Sequence, residues 1–364
     1  MSTRTAHITE TAAPPPVRLV ITDDRTSADT ALRHARSGST LLWRGDYHNA
    51  RHLLAAMRRR LDRPRRGTPP ADPAHAFHRY RQARARRARL LSCLVVELGA
   101  DYTLALRRAP DVSAACTAAY GRATGDRLVP LTELLGVLSA HQWRINGVEV
   151  PALDARIHPH YGVFAPTRNE YTDLVARAPV PDGTRFAVDL GTGTGVLAAL
   201  LARRGVPRVL GTDLSPQAVA CARENLRRLG LGDVEIRHGD LFPDVRADLI
   251  VCNPPWLPGT PVAALDHGVY DPHSAMLHGY LDGLADHLTP GGEGWLIFSD
   301  LSEHLGLRAP GDLGTRIAAA GLQILGRLDT RPRHRRAADP TDPLHTARAA
   351  ETVTLWRLAP RSSR

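Results

Sequence analysis

The chain is 364 residues long, enough for two domains with a sizeable core. Its formal net charge is +10, and every one of its 47 basic residues is arginine. The absence of lysine excludes a lysine Schiff base with pyridoxal phosphate and a P-loop lysine, and arginine is no base at neutral pH.

A charge of this size invites a nucleic-acid reading. The richness in Ala, Arg, Gly and Pro points instead to GC-rich codon bias, so nucleic acid is a possible partner but not the favoured one. Cys93, Cys116, Cys221 and Cys252 form no C-x-x-C pair. They read as free thiols of a reducing compartment. The polar, proline-bearing start has no apolar leader core, and no apolar run is long enough to span a bilayer. These features predict a soluble cytoplasmic protein with no membrane partner.

Residues 1–16 read as a disordered tail. Residues 17–140 read as a mostly helical N-terminal domain. It begins with a short strand or extended segment at Val17–Thr22, and helices are predicted at Thr26–Arg36 and Tyr47–Leu61. Pro64–Pro73 is a Pro/Arg/Gly linker. His75–Leu106 reads as one long helix or two, basic in its first half (Arg79, Arg81, Arg84, Arg86, Arg87, Arg89) and apolar in its second (Leu90, Leu91, Leu94, Val95, Leu98). The basic half reads as a solvated helix face, since only Phe77 and Tyr80 accompany it. Val112–Tyr120 and Leu131–Leu138 complete the domain. Residues 141–165 read as a bridging β-hairpin, with Asn146-Gly147 as its turn signal. His158 and His160 lack a third clustered ligand and read as structural; no metal is predicted. Thr167 reads as a helix cap with Glu170 completing a capping box, and the helix runs to Ala178.

From Phe186 the pattern alternates strand and helix, predicting an α/β domain over residues 166–364. Strands are predicted at Phe186–Leu190, Val209–Thr212, Val234–His238, Ala247–Cys252, Gly294–Ser299, Leu322–Leu328 and Glu351–Leu358. The first ends in Asp189 and runs into Gly191-Thr192-Gly193-Thr194-Gly195. Glycines there let a ligand approach the backbone. A buried acid two residues before the loop would repel a pyrophosphate but suits a cation. Asp213, followed by Leu214, ends the second strand, where an acid can accept from ribose hydroxyls. Asp240 and Leu241 follow the third. Asn253-Pro254-Pro255-Trp256 follows the fourth. There the Asn amide oxygen and a carbonyl of the turn can accept both hydrogens of a planar amino group, while Trp256 faces outward over the acceptor.

These motifs resemble those of class I S-adenosylmethionine (SAM)-dependent methyltransferases. The glycine loop resembles motif I of that class. The Asn-Pro-Pro-Trp turn resembles the signature of enzymes acting on amide or exocyclic nitrogen, such as the release-factor glutamine and ribosomal-RNA guanine-N2 methyltransferases. The likeness covers about residues 140–358. It implies a seven-stranded Rossmann-like sheet and SAM as cofactor. It also implies that Asp240 contacts the adenine amino group with Leu241 against the ring, and that Thr167 and Arg168 contact the cofactor. Candidate catalytic residues are Asn253, Pro254, Trp256 and Tyr270. Candidate cofactor residues are Phe164, Thr167, Arg168, Asp189, Gly191, Thr192, Gly193, Gly195, Asp213, Leu214, Asp240, Leu241 and Asn253. Phe164 and Tyr270 are weaker candidates for the acceptor-pocket wall. Trp stands where those enzymes usually carry Tyr, and the acceptor, whether small molecule, protein or RNA, is left open. Two other readings remain: a natural-product enzyme of the same fold, including one that cyclises SAM to azetidine-2-carboxylate and methylthioadenosine, and a non-catalytic SAM- or RNA-binding module.

Overall fold

A computed structural model describes residues 18–63, 72–261, 266 and 268–361. The tail 1–16, the first residue of the expected opening strand and most of the linker lie outside the described residues. The chain divides into two compact units. No helix among the described residues is long and apolar enough to cross a membrane.

The first unit gathers residues 18–63, 84–117 and 122–136. Its elements are β1 (Leu19–Thr22), α1 (Ala28–Arg36), β2 (Thr40–Trp43), α2 (Tyr47–Leu61), the second half of α3 (Pro73–Ser92), β3 (Leu94–Leu98), most of α4 (Ser113–Tyr120), β4 (Arg127–Pro130) and the start of α5 (Leu131–Asn146). Ser27 caps α1 by accepting from the Thr30 amide, and Asp46 caps α2 by accepting from His48 and Asn49. The helices α1 and α2 stand where the sequence puts them. They are arranged, however, around a four-stranded sheet in the order β1-β2-β3-β4, with only β4 antiparallel. Leu94–Leu98, read as the apolar half of a helix, is its third strand. Leu94, Val96 and Leu98 are fully buried and Val95 nearly so. A short run buried on both faces lacks the alternation that marks a strand, and its paired valines favour the extended form.

The second unit holds residues 72–83, 118–121 and 137–361. The hairpin is there, formed by β5 (Val148–Val150) and β6 (Ala155–Ile157), but Asn146-Gly147 is not its turn. Helix α5 runs on to Asn146, and Gly147 ends it at φ +70°. The turn is Pro151–Asp154, with Asp154 left-handed. After the hairpin, His160 Nε2 lies 2.8 Å from Glu224 Oε2, and the His158 ring contacts the Arg144 carbonyl. Arg144 and Arg228 also donate to Glu224.

Helix α6 spans Asn169–Arg177. The expected capping box does not form: Arg168 occupies the cap position without a side-chain bond. Buried Glu170 accepts instead from the Arg333 amide, drawn off by a distant loop.

The main sheet comprises β7 (Phe186–Leu190), β8 (Arg208–Asp213), β9 (Glu235–His238), β10 (Ala247–Cys252), β13 (Leu288–Ser299), β14 (Leu322–Thr330) and β15 (Val353–Pro360). Between β10 and β13 lie the two-residue strands β11 (Leu257–Pro258) and β12 (Tyr270–Asp271). Helices α7 (Val196–Arg203), α8 (Pro216–Arg228), α9 (Ala275–His287), α10 (Leu301–His304), α11 (Asp312–Ala319) and α12 (His345–Ala350) complete the unit. The strand order is β14-β15-β13-β10-β7-β8-β9, with β15 antiparallel to both its neighbours. Alternation along each strand feeds two apolar layers. Leu249, Val251, Trp295 and Ile297 pack towards α6, α7 and α8. Ile250, Cys252, Leu296 and Phe298 pack towards α9 and α11. The order reverses between β7 and β10, which places a crevice at their carboxyl ends.

Candidate active site

Three glycines carry the chain out of β7 at positive φ: Gly191 (+67°), Gly193 (+55°) and Gly195 (+81°). Two of them show what glycine gives the loop. A Cβ on Gly195 would lie 3.2 Å from the Ala222 backbone, so the glycine brings the loop against α8. A Cβ on Gly193 would meet only the Gly191 carbonyl, at 3.9 Å, and otherwise open space. The face of the loop above Gly193 is a cradle that a side chain would fill.

Asp189 sits beneath that loop, 1% exposed. The Thr192 hydroxyl (2.6 Å) and the Ala198 amide (3.0 Å) both donate to its Oδ2. Burial outweighs these bonds and pushes its pKa up to about 7, with Asp213 acting in the same direction. Asp213, at the end of β8, accepts from the Gly193 amide and from the Ser215 amide, both at 2.9 Å. It therefore ties the glycine loop to the start of α8. The neighbouring Leu214 is 64% exposed, a large apolar side chain left uncovered beside a carboxylate. Asp240 is exposed, and Leu241 is held at φ +52°, a conformation that strains a non-glycine residue. The Leu241 carbonyl accepts from the Thr212 hydroxyl, which fixes this strained corner to β8.

Asn253 follows β10. Cys252 pairs with Leu190, so Asn253 stands level with Gly191. The indole N–H of Trp256 donates to Asn253 Oδ1 at 3.0 Å. Trp256 is thus not the outward-facing platform that the sequence suggests. It is half-buried, packed against both apolar layers, with the Arg168 guanidinium over its ring at 4.7 Å. Two prolines hold the turn rigid, but the direction of its last side chain is set by tertiary partners.

Arg168 turns to Trp256 and to buried Glu351, 3.0 Å away, while the Thr167 amide bonds the Ala165 carbonyl. Tyr270 pairs with Leu257, the residue after the motif, and its ring is covered by Arg81 at 4.1 Å. Phe164 is 39% exposed and lies against the backbone of Gly268. Both wall candidates therefore border the segment that follows the motif. Three contributors were missed from the sequence. Met276 reaches over Gly191, where a Cβ would meet its methyl carbon at 2.6 Å. Asp271 caps α9 through the Met276 and Leu277 amides. Glu351 anchors Arg168. A lone Met, Asp or Glu in an ordinary context carries no sequence signal.

Residues 154–304 match the methyltransferase small domain family. The sheet order and the glycine crevice agree with that match, which takes in β7 to β13 and the turn after β10. The chain is also similar to release factor glutamine methyltransferases. It is 36% identical to that of Cereibacter sphaeroides over 177 residues, covering 44% of this chain and 62% of the relative. It is 34% identical to that of Moorella thermoacetica over 174 residues, covering 44% and 58%. It is 39% identical to that of Geobacter sulfurreducens over 127 residues, covering 30% and 43%. The chain spans less than two thirds of each of these relatives. The residues present would fit SAM: an open glycine cradle, a buried acid that could face a cation, an acid that could accept from hydroxyls and uncovered Leu214 for a flat ring.

Proposed function

We propose that this chain methylates a planar nitrogen, with a side-chain amide of the glutamine type as the acceptor its relatives favour. The observation that carries the proposal is Asn253, level with Gly191 at the strand-order reversal and held through its amide oxygen. Asp189, the loop Gly191–Gly195, Asp213, Leu214, Asp240 and Leu241 would hold SAM. When bound, SAM supplies an already activated methyl group. The chain's own task is alignment. Asn253 Oδ1 has a second lone pair beyond the one taken by Trp256. That lone pair can accept one N–H of the acceptor, and a carbonyl of the Pro254-Pro255 turn can accept the other. Drawing both hydrogens out of the amide plane frees the nitrogen lone pair. Orientation of this kind supplies about 7–11 kcal/mol of barrier lowering. Four unpaired thiols, three of them buried, suit a reducing cytoplasm.

The test is mass spectrometry of SAM turnover with amide and amino acceptors. S-adenosylhomocysteine and a methylated acceptor are expected. Methylthioadenosine would replace the proposal with cyclisation, and binding without turnover would favour a binding module. Asn253→Ala should lower kcat roughly ten- to a thousandfold while SAM affinity is retained. Joint loss of turnover and SAM affinity would move Asn253 into the cofactor site.

A further inference from the structure

Behind the Asn-Pro-Pro-Trp turn, a line of contacts runs back to the last strand of the sheet. Glu351, at the entrance to β15, is fully buried. It accepts from Arg168 Nη2 at 3.0 Å and from the Ser299 hydroxyl at 2.8 Å. Glu170 lies 3.5 Å from Arg168 Nε, and His334 lies 4.0 Å from the other oxygen of Glu351. The Arg168 guanidinium covers the Trp256 ring, and the indole N–H ends the line at Asn253 Oδ1.

Packing alone does not call for charges here. An apolar side chain would cover an indole face as well, and a buried ion pair is often no more stable than a hydrophobic replacement. What the pair adds is direction. The carboxylate holds one end of the guanidinium, and the guanidinium so held covers the aromatic ring. The ring so held aims its N–H. An Asn carboxamide rotates in a broad, two-fold torsion, so left to itself it could present either its oxygen or its NH₂ to an acceptor. The indole N–H tolerates only the oxygen.

We infer that Glu351, Arg168 and Trp256 form a positioning chain that decides which end of the Asn253 carboxamide faces the acceptor nitrogen. The inference rests on the proposed N-methylation for its catalytic meaning, but the chain itself can be read without turnover. The protein contains five tryptophans, so ¹⁵N-tryptophan labelling gives five indole signals, and Trp256→Phe assigns the relevant one. Its N–H should exchange with solvent at least about fivefold faster in Arg168→Lys and in Glu351→Gln, and in Asn253→Ala, with the other four signals in place. Arg168→Lys keeps the charge facing Glu351 and loses the guanidinium that covers the ring. If Glu351→Gln fails to fold, all five signals move and Arg168→Lys decides alone. Unchanged exchange at Trp256 in folded variants overturns the chain, whatever the acceptor.

Turnover supplies the second reading. Arg168→Lys should lower kcat by roughly five- to fiftyfold without moving the KM for SAM. Placed on Asn253→Ala, it should cause no further loss, because both changes remove the same contact. A fully additive loss would overturn the positioning role. Absence of SAM turnover in the wild-type protein would sink the proposed function, and the exchange measurement would still decide the chain.

Discussion

Asp189 is the residue at which burial would couple to the proposed ligand binding. Its pKa is raised to about 7 by burial, so below that pH its carboxyl carries a proton where a cationic ligand would need a carboxylate. Binding a cation must then expel the proton, and affinity should rise as the pH climbs through the raised pKa. Between pH 5.5 and 7.5, calorimetry should show SAM affinity increasing by roughly twentyfold. Asp189→Asn should weaken binding and flatten that dependence. A wild-type affinity that does not move across this window would detach Asp189 from the ligand. Asp189, the glycine loop and Asn253 were legible because their spacing is local and tied to strand ends. The direction of Trp256 was not, since it depends on Arg168 and Glu351, which are remote in the chain. The same applies to Glu170: a good capping-box residue by position, it is claimed by the Arg333 amide instead.

Elements were readable where the period was clear. The seven strands of the main sheet, and helices such as α2 and α8, lie where alternation, Pro216 and Ser215 put them. They were misread where one residue pair serves two kinds of structure. Asn146-Gly147 is a hairpin signal, but the same left-handed glycine also ends a helix, and the apolar run through α5 favoured the helix. Glu224 joins α8 to the end of the hairpin and to α5 through His160 and Arg144. Burial works to raise its pKa, but Arg228, His160 and Arg144 outweigh it and hold it at about 2 instead of 4.5. A depressed acid contributes stability that is present above its unfolded pKa and lost as the pH falls towards the folded one. Chemical unfolding at stepped pH should therefore show wild-type stability falling between pH 4.5 and 2 more steeply than that of Glu224→Gln. Parallel curves would mean that the cluster is incidental to stability.

At the scale of the molecule, the +10 charge is the feature most easily over-read. In the basic half of α3, Arg81 donates to the Thr260 carbonyl and covers Tyr270, and Arg87 forms a paired bond with Asp62. These side chains are held by the protein's own groups. Binding to ribosomal RNA fragments at physiological salt should accordingly be weak. Each phosphate neutralised adds about 0.9 to the log–log salt slope for a duplex, so a slope of several units would overturn this reading. Most of the N-terminal sheet was not legible, because β2 and β3 are short apolar runs without the alternation that separates a strand from a helix, and β1 and β4 are only four residues long.

Helix α3 runs unbroken from Pro73 to Ser92, yet its first half is counted in one unit and its second half in the other. Phe77, on the first half, is 1% exposed in a cluster with Leu257, Leu301, Leu305, Leu344 and Ala347. Leu257 is the residue immediately after the Asn-Pro-Pro-Trp turn. A fragment trimmed to the family match at 154–304 would leave behind Phe77, both closing strands of the sheet and Glu351. The turn proposed to meet the acceptor is thus propped from a stretch of sequence that precedes the family match by half its own length.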